Sequence, residues 1–277
     1  MMEATSLKTK TPASRKSRGW DKFFPRCRRL LPLILALVVL IGVWNLLTTG
    51  LRLLPLPYFP GPREILYELW RDRGLLGLST VYSLRLLAIG YLVGTLGGLA
   101  AGILMGWFKW GEYWLQPLLR FIGPVPAPAW IPLAMTLFPN SFLASIFLLG
   151  LSSWFPVTIL TWSGIAGVNK SYLEVARTLG AGDRVLLLRV AIPAALPSIF
   201  VGLFMGLGLS FATLVVAEML GVKAGLGWYI QWAQGWAEYD KVYGALIIMA
   251  LLFSTLLSVI FRCRDRILAW QRGLIKW

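Results

Sequence analysis

The chain has 277 residues, 57% of them apolar and only 14% charged, whereas a soluble domain carries about 25% charged residues. Several apolar runs of about 20 residues exclude an ordinary soluble globule and indicate an integral membrane protein. The net charge of +15 does not indicate a nucleic-acid surface, because the Lys and Arg residues cluster beside the apolar runs, as topogenic flanks do.

Residues 1–29 form a polar tail with nine basic residues, among them Arg26, Arg28 and Arg29, and are expected in the cytoplasm. The apolar run 30–49 is the first predicted span. It is longer than a signal-peptide core and has no small-residue cleavage site, and the arginines before it place the N-terminus inside. Residues 50–78 form an outer loop in which Pro55, Pro57, Pro60 and Pro62 force extended turns. Within it, Ile65, Leu66, Leu69 and Trp70 make residues 63–73 an amphipathic helix suited to the lipid interface.

The transmembrane domain proper is expected over 79–262. Its first span, 79–108, carries Gly90, Gly94, Gly98, Gly102 and Gly106 at intervals of four. In lipid such a ridge of small residues lets another helix approach closely, so it reads as a packing surface; a face that slides during transport is the second reading. Arg85 either snorkels to the outer interface or offers a positive charge to an anion on the substrate pathway. Residues 109–116 are expected as a short inner turn. The next span, about 117–138, is interrupted by Pro124, Pro126, Pro128 and Pro132. It is either a kinked packing helix or a broken helix lining a water-filled cavity, which would put Pro128 and Trp130 on the pathway. Pro139-Asn140 turns the chain outside, and the span 141–164 returns it inward.

The segment 166–193 then interrupts the apolar sequence with several charges. Ser171 and Glu174 stand in the Ser-x-x-Glu spacing of a capping box, predicting a helix from Tyr172. Gly180 supplies a left-handed stop, Gly182 a second joint, and Asp183 a cap for the next helix. Leu173, Ala176 and Leu179 share one helical face at spacings of three. A small amphipathic knob between two spans reads as a docking element; the plainer reading is that Glu174 and Gly180 merely begin and end a helix.

A further span, 194–218, contains the close-packing pair Gly202 and Gly206 and ends on Glu218, which is either an interfacial acid facing water or a gate hydrogen bond. Residues 219–240 hold Gly221, Gly225 and Gly227, then Trp228, Trp232 and Trp236 at intervals of four. They read as an interfacial aromatic belt or as a short re-entrant helix capping the pathway, which would include Trp228. The last span, 242–261, is followed by Arg262, Arg264 and Arg266, placing the tail 263–277 inside. Nineteen basic residues then flank the inner ends and six the outer ends. The expected fold is all-α and polytopic, with six transmembrane helices and both termini cytoplasmic.

Catalytic chemistry is missing from the sequence. There is no histidine, and the two cysteines, Cys27 and Cys263, lie on basic flanks that support neither a zinc site nor a disulfide framework. Residues 164–171 approach the phosphate-loop pattern, but Asn169 stands where its second glycine is required and no strand precedes it. The chain is read as a non-enzyme that binds no cofactor of its own, so any energy for transport must come from another chain.

Glu174, Ala176, Gly180, Val190, Ile192 and Pro193 match, at the right spacings, the Glu-Ala-Ala loop of binding-protein-dependent ABC importer permeases, with two departures: Val175 in place of the first Ala, and Val190-Ala191-Ile192-Pro193 in place of the Ile-x-Leu-Pro ending. The chain also resembles the subfamily for nitrate, sulfonates, taurine and bicarbonate in Tyr58-Phe59-Pro60-Gly61-Pro62, in Pro124 to Leu133, and in Val216 to Gly221 with Gly225-Leu226-Gly227. It departs at Leu137 to Asn140, where that subfamily often has a Phe-Gly ending. The resemblance implies the type I importer permease fold in a bacterial inner membrane. It implies a dimer with a second permease copy, two ATPase subunits that carry ATP and Mg, and an extracytoplasmic solute-binding protein. It makes the 166–193 loop the coupling element, with Leu173, Glu174, Ala176, Leu179, Gly180 and Ala181 at the ATPase contact, and the cargo a small anion. A stand-alone channel or ion-coupled carrier, and a non-transporting membrane scaffold, are the alternatives.

Overall fold

The computed structural model describes residues 24–51, 53–54 and 57–271, and these are helical with no strand among them. Most of the basic tail, 1–23, lies outside the described residues. Two units divide at residue 55. The first contains helix α1 (Phe24–Asn45), which runs into a π-helical turn, Leu46–Gly50, where the Thr48 hydroxyl donates to the Trp44 carbonyl at 2.8 Å. Leu35, Val38 and Ile41 are exposed on it, an apolar surface suited to lipid.

The second unit begins with α2 (Pro62–Arg71), where Pro62 suits the first helical position and the Glu64 carboxylate accepts from the Gly61 N–H at 2.9 Å. Ile65 is buried, while Leu66, Tyr67 and Trp70 are exposed, giving the amphipathic character predicted for 63–73. Helix α3 (Arg73–Trp107) follows at once. After an extended Phe108 the chain re-enters helix as α4 (Lys109–Ile122), so the expected inner turn at 109–116 is instead helical, with the reversal confined to one residue. Helices α5 (Ile131–Leu137) and α6 (Ser141–Ala166) come next, the latter capped by the Asn140 side chain, which accepts from the Leu143 N–H at 2.9 Å. Then come α7 (Lys170–Thr178), α8 (Asp183–Val185) and α9 (Ile192–Gly221), the last two joined through a π-helical stretch into one 39-residue helix. Helices α10 (Leu226–Gly235) and α11 (Tyr239–Ile267) end the unit.

Among the described residues four helices are long and apolar enough to cross a membrane: α3, α6, the α8–α9 helix and α11; the bent pair of α4 with 127–137 makes five. The crossing expected over 30–49 falls on the shorter apolar stretch Leu35–Gly50.

Helix α6 is clamped between α3 and α9, and the glycines explain why. A Cβ at Gly98 would sit 2.9 Å from the Trp154 carbonyl oxygen, and one at Gly106 2.7 Å from the Ile165 Cβ. At Gly94 it would collide with Gly150 and Ser153. On the opposite side, a Cβ at Gly202 would meet the Val157 Cα at 3.2 Å, and one at Gly206 the Ser153 carbonyl oxygen at 3.3 Å. The ridge predicted on α3 is therefore a packing surface. Interhelical hydrogen bonds add to it: Ser152 and Thr213 hydroxyls 2.7 Å apart, Ser210 to the Leu149 carbonyl at 2.9 Å, and Tyr91 to the Leu203 carbonyl at 2.8 Å.

Candidate functional site

The loop predicted to dock is α7 and its exit. Its N-cap is Asn169, whose side chain accepts from the Ser171 N–H at 3.0 Å. The expected Ser171–Glu174 capping box does not form, because Ser171 already lies inside the helix and its N–H is taken by the preceding Asn. At the other end Gly180 has φ +82°, its N–H donates to the Arg177 carbonyl at 2.9 Å, and the Ala181 N–H donates to the Ala176 carbonyl at 3.0 Å. This pair of bonds is a Schellman stop. It gives Ala176, Gly180 and Ala181 one shared local task, consistent with the spacing read from sequence. Asp183 does not cap the next helix; Gly182 occupies that position, and Asp183 sits in the first turn, 3.9 Å from Arg177 across an exposed pair.

The apolar face of α7 is rotated from the expectation. Leu173 and Ala176 are half-buried, so they face back toward the protein, whereas Tyr172, Val175 and Leu179 are 61%, 60% and 83% exposed. Glu174 is exposed as well. The surface that α7 offers is thus a short apolar stripe with one acid beside it.

The residues assigned to a pathway fall into three places. Arg85 is exposed on α3, its guanidinium 5.3 Å from the Phe142 ring at the start of α6. Pro128 and Trp130 lie in the break after α4. The break consists of residues 123–126 and a 3-10 turn, Ala127–Trp130, and the chain bends by 81° across it. Pro124 and Pro126 contribute no N–H, while Pro128 and Pro132 occupy first-turn positions, so these prolines end one helix and start the next. Pro128 lines a cavity of about 280 Å³ with Ser152 and Thr213. Trp130 lines a neighbouring one of about 470 Å³ with Phe147 and Trp154. The helix is broken, and both sides of the break have work: α5 beyond it packs on α6 through Ile131 and Ala134, while the break itself lines the two cavities.

Glu218 and Trp228 are grouped around the start of α10. Glu218 does not face water; it is fully buried. Its carboxylate accepts from the Ser83 hydroxyl at 2.7 Å and from the Gly227 N–H at 2.8 Å, while the Leu226 N–H donates to the Ser83 oxygen at 2.8 Å. The first N–H groups of α10, which no residue within that helix can satisfy, are thus met by side chains from α9 and α3. Gly225, at φ +101°, is required there, because a Cβ would fall on the Glu218 carboxylate. Trp228 stacks on Trp232 at 6.4 Å, and both pack against the buried cluster of Leu226, Tyr229 and Ile230, whereas Trp236 is exposed beyond the helix. Tyr229 donates to Asp72 at 2.8 Å. Burial, reinforced by Asp72, pushes its phenol up, so it remains a donor. Lys241 closes this corner, 2.8 Å from Glu238 and 3.5 Å from Asp72.

Comparison with known proteins places this geometry. Residues 94–271 match the family of the binding-protein-dependent transport system inner membrane component. The bicarbonate transport system permease protein CmpB of Synechococcus elongatus is 30% identical over 284 residues, covering 98% of this chain and 99% of that one. The nitrate import permease protein NrtB of the same organism is 28% identical, covering 95% and 96%. Among solved structures, the inward-facing MetNI methionine ABC transporter aligns with a TM-score of 0.59 at 18% identity, over 69% of this chain and 96% of that chain, a likeness of fold. The chain belongs to the family of inner membrane components of binding-protein-dependent transport systems, the ABC transporter permeases.

Proposed function

We propose that the chain is the membrane subunit of an ATP-driven importer for a small oxyanion: nitrate, bicarbonate or an organosulfonate. In this reading it spans a bacterial inner membrane with both termini cytoplasmic and pairs with a second permease copy. It takes cargo from an extracytoplasmic solute-binding protein and is moved by two ATPase subunits that bind ATP and Mg and grip α7. The observation that carries the reading is α7 itself: a capped nine-residue helix with Tyr172, Val175 and Leu179 bare. Exposed apolar clusters of this kind mark contact surfaces. The anion class rests on the sequence resemblance and on relatives named for nitrate and bicarbonate.

Gly180→Val tests it. A β-branched residue at φ +82° breaks the Schellman stop and costs about 1–2 kcal/mol locally. The variant should reach the membrane in normal amount and lose at least tenfold in ATP-dependent uptake. Normal transport with the native ATPase would sink the coupling assignment. Uptake that proceeds without any ATPase would favour a stand-alone carrier.

A further inference from the structure

Helix α2 lies where two spans begin. Only Asp72 separates it from α3, and its Leu69 side chain packs on α11 at Gly244, where an added Cβ would come within 3.2 Å of it. Outward-facing apolar surface starts close to this junction: Leu78 and Val81 of α3 are 72% and 65% exposed, and Leu246 and Ile247 of α11 are exposed just after Gly244. Helix α2 therefore sits at the edge of the lipid-facing belt, at the depth of the headgroups.

The side chains of α2 divide into rows. Ile65 and Leu69 face the protein. Leu66 and Trp70, 66% and 72% exposed, make an apolar row. Next to it Arg63, Tyr67 and Arg71 stand four residues apart, all exposed. Arg73, at the start of α3, brings a third guanidinium to 4.7 Å from the Trp70 ring. The acids of α2 are drawn away from this face: Glu64 accepts from the Gly61 N–H at 2.9 Å, and Glu68 is buried. Arg71 reaches Glu68 at 3.4 Å yet keeps its side chain 65% exposed.

We infer that α2 is a binding site for an anionic phospholipid of the adjoining leaflet, which is the outer one in the orientation proposed above. The acyl chains lie against Leu66 and Trp70, and the phosphodiester meets the Arg63–Tyr67–Arg71 row. Two properties of the face choose this occupant. A free anion would leave Leu66 and Trp70 bare, and an apolar protein surface would leave the arginines unmatched, whereas a lipid satisfies both rows at once. Basic residues beside the apolar side of an interfacial helix draw it to anionic lipid, and the guanidinium fork matches two phosphate oxygens. A phosphocholine headgroup carries its own cation and so competes poorly. Neither cargo nor ATPase enters into this binding.

The test uses the full-length protein in mixed vesicles of phosphatidylglycerol and phosphatidylcholine. Leu66→Cys, in a background with Cys27 and Cys263 replaced by Ser, is labelled with bimane. Either lipid is then supplied with brominated acyl chains, which quench a fluorophore they touch. The quenching curves should give phosphatidylglycerol at least about a fivefold preference over phosphatidylcholine at this position. Arg63→Gln combined with Arg71→Gln should bring the two lipids to within about twofold of each other, with parent yield in the membrane, because both side chains are exposed. Equal quenching by the two lipids in the parent would reduce α2 to an unselective interfacial helix and overturn the assignment. No quenching by either would mean that protein covers the face, a second copy or a soluble partner, and overturns it too. A preference that disappears when inorganic phosphate is added at constant ionic strength would make this a site for a free anion, again overturning it.

Discussion

Glu218 shows how much one side chain can organise. Its carboxylate accepts from the Ser83 hydroxyl of α3 and the Gly227 N–H of α10, and Ser83 in turn accepts from the Leu226 N–H, so three helices meet at one buried acid. Glu218→Ala should leave the Gly227 N–H and the Ser83 hydroxyl without their acceptor, at about 1–3 kcal/mol for each orphaned donor. The expected result is a large fall in the melting temperature of the detergent-solubilised protein. Combined with Ser83→Ala, the loss should be clearly less than additive, because each change removes the same network; strict additivity would show that the two groups act separately. From sequence alone Glu218 is either an acid facing water at a span end or a gate hydrogen bond. Its partner is 135 positions away, and no local pattern announces a pairing at that range.

At the scale of elements, α7 depends on its two ends. Asn169→Ala removes the cap at a cost of about 1 kcal/mol. Hydrogen exchange should then accelerate over 170–178 while the α3–α6 contact stays protected; unchanged exchange would mean that the helix is held by other contacts. The α3 glycine ridge allows a harsher test. Gly102→Leu puts a side chain against Thr161 and the Thr158 carbonyl, where a Cβ alone would approach that oxygen to 2.8 Å. The expected outcome is loss of the folded protein from the membrane fraction, and normal accumulation would contradict the close packing. The ridge, the proline break and the Gly180 stop were legible because each is set by backbone sterics within a few residues. The α7 cap was misplaced because Asn169 and Ser171 are both good cap residues two positions apart, and the choice between them depends on where the chain leaves α6. The rotation of the apolar face was hidden for a similar reason: spacing gives a face but not its direction.

For the whole molecule, the helices divide the work. Helices α3, α6 and α9 form a tightly packed trio, α10 and α11 close one end with α2, and the break after α4 opens the cavities beside α6. Composition made the membrane class and the helical fold plain. It could not show the cavities beside α6, which form only where the break after α4 meets that helix.

Only three residues, 167–169, separate the end of α6 from the start of α7. The helix that walls the cavities is therefore also the stalk of the exposed knob. A push on the knob has almost no slack to take up and travels up α6 as along a piston rod. Lengthening the joint by two glycines should let the motor idle, hydrolysing ATP without moving cargo.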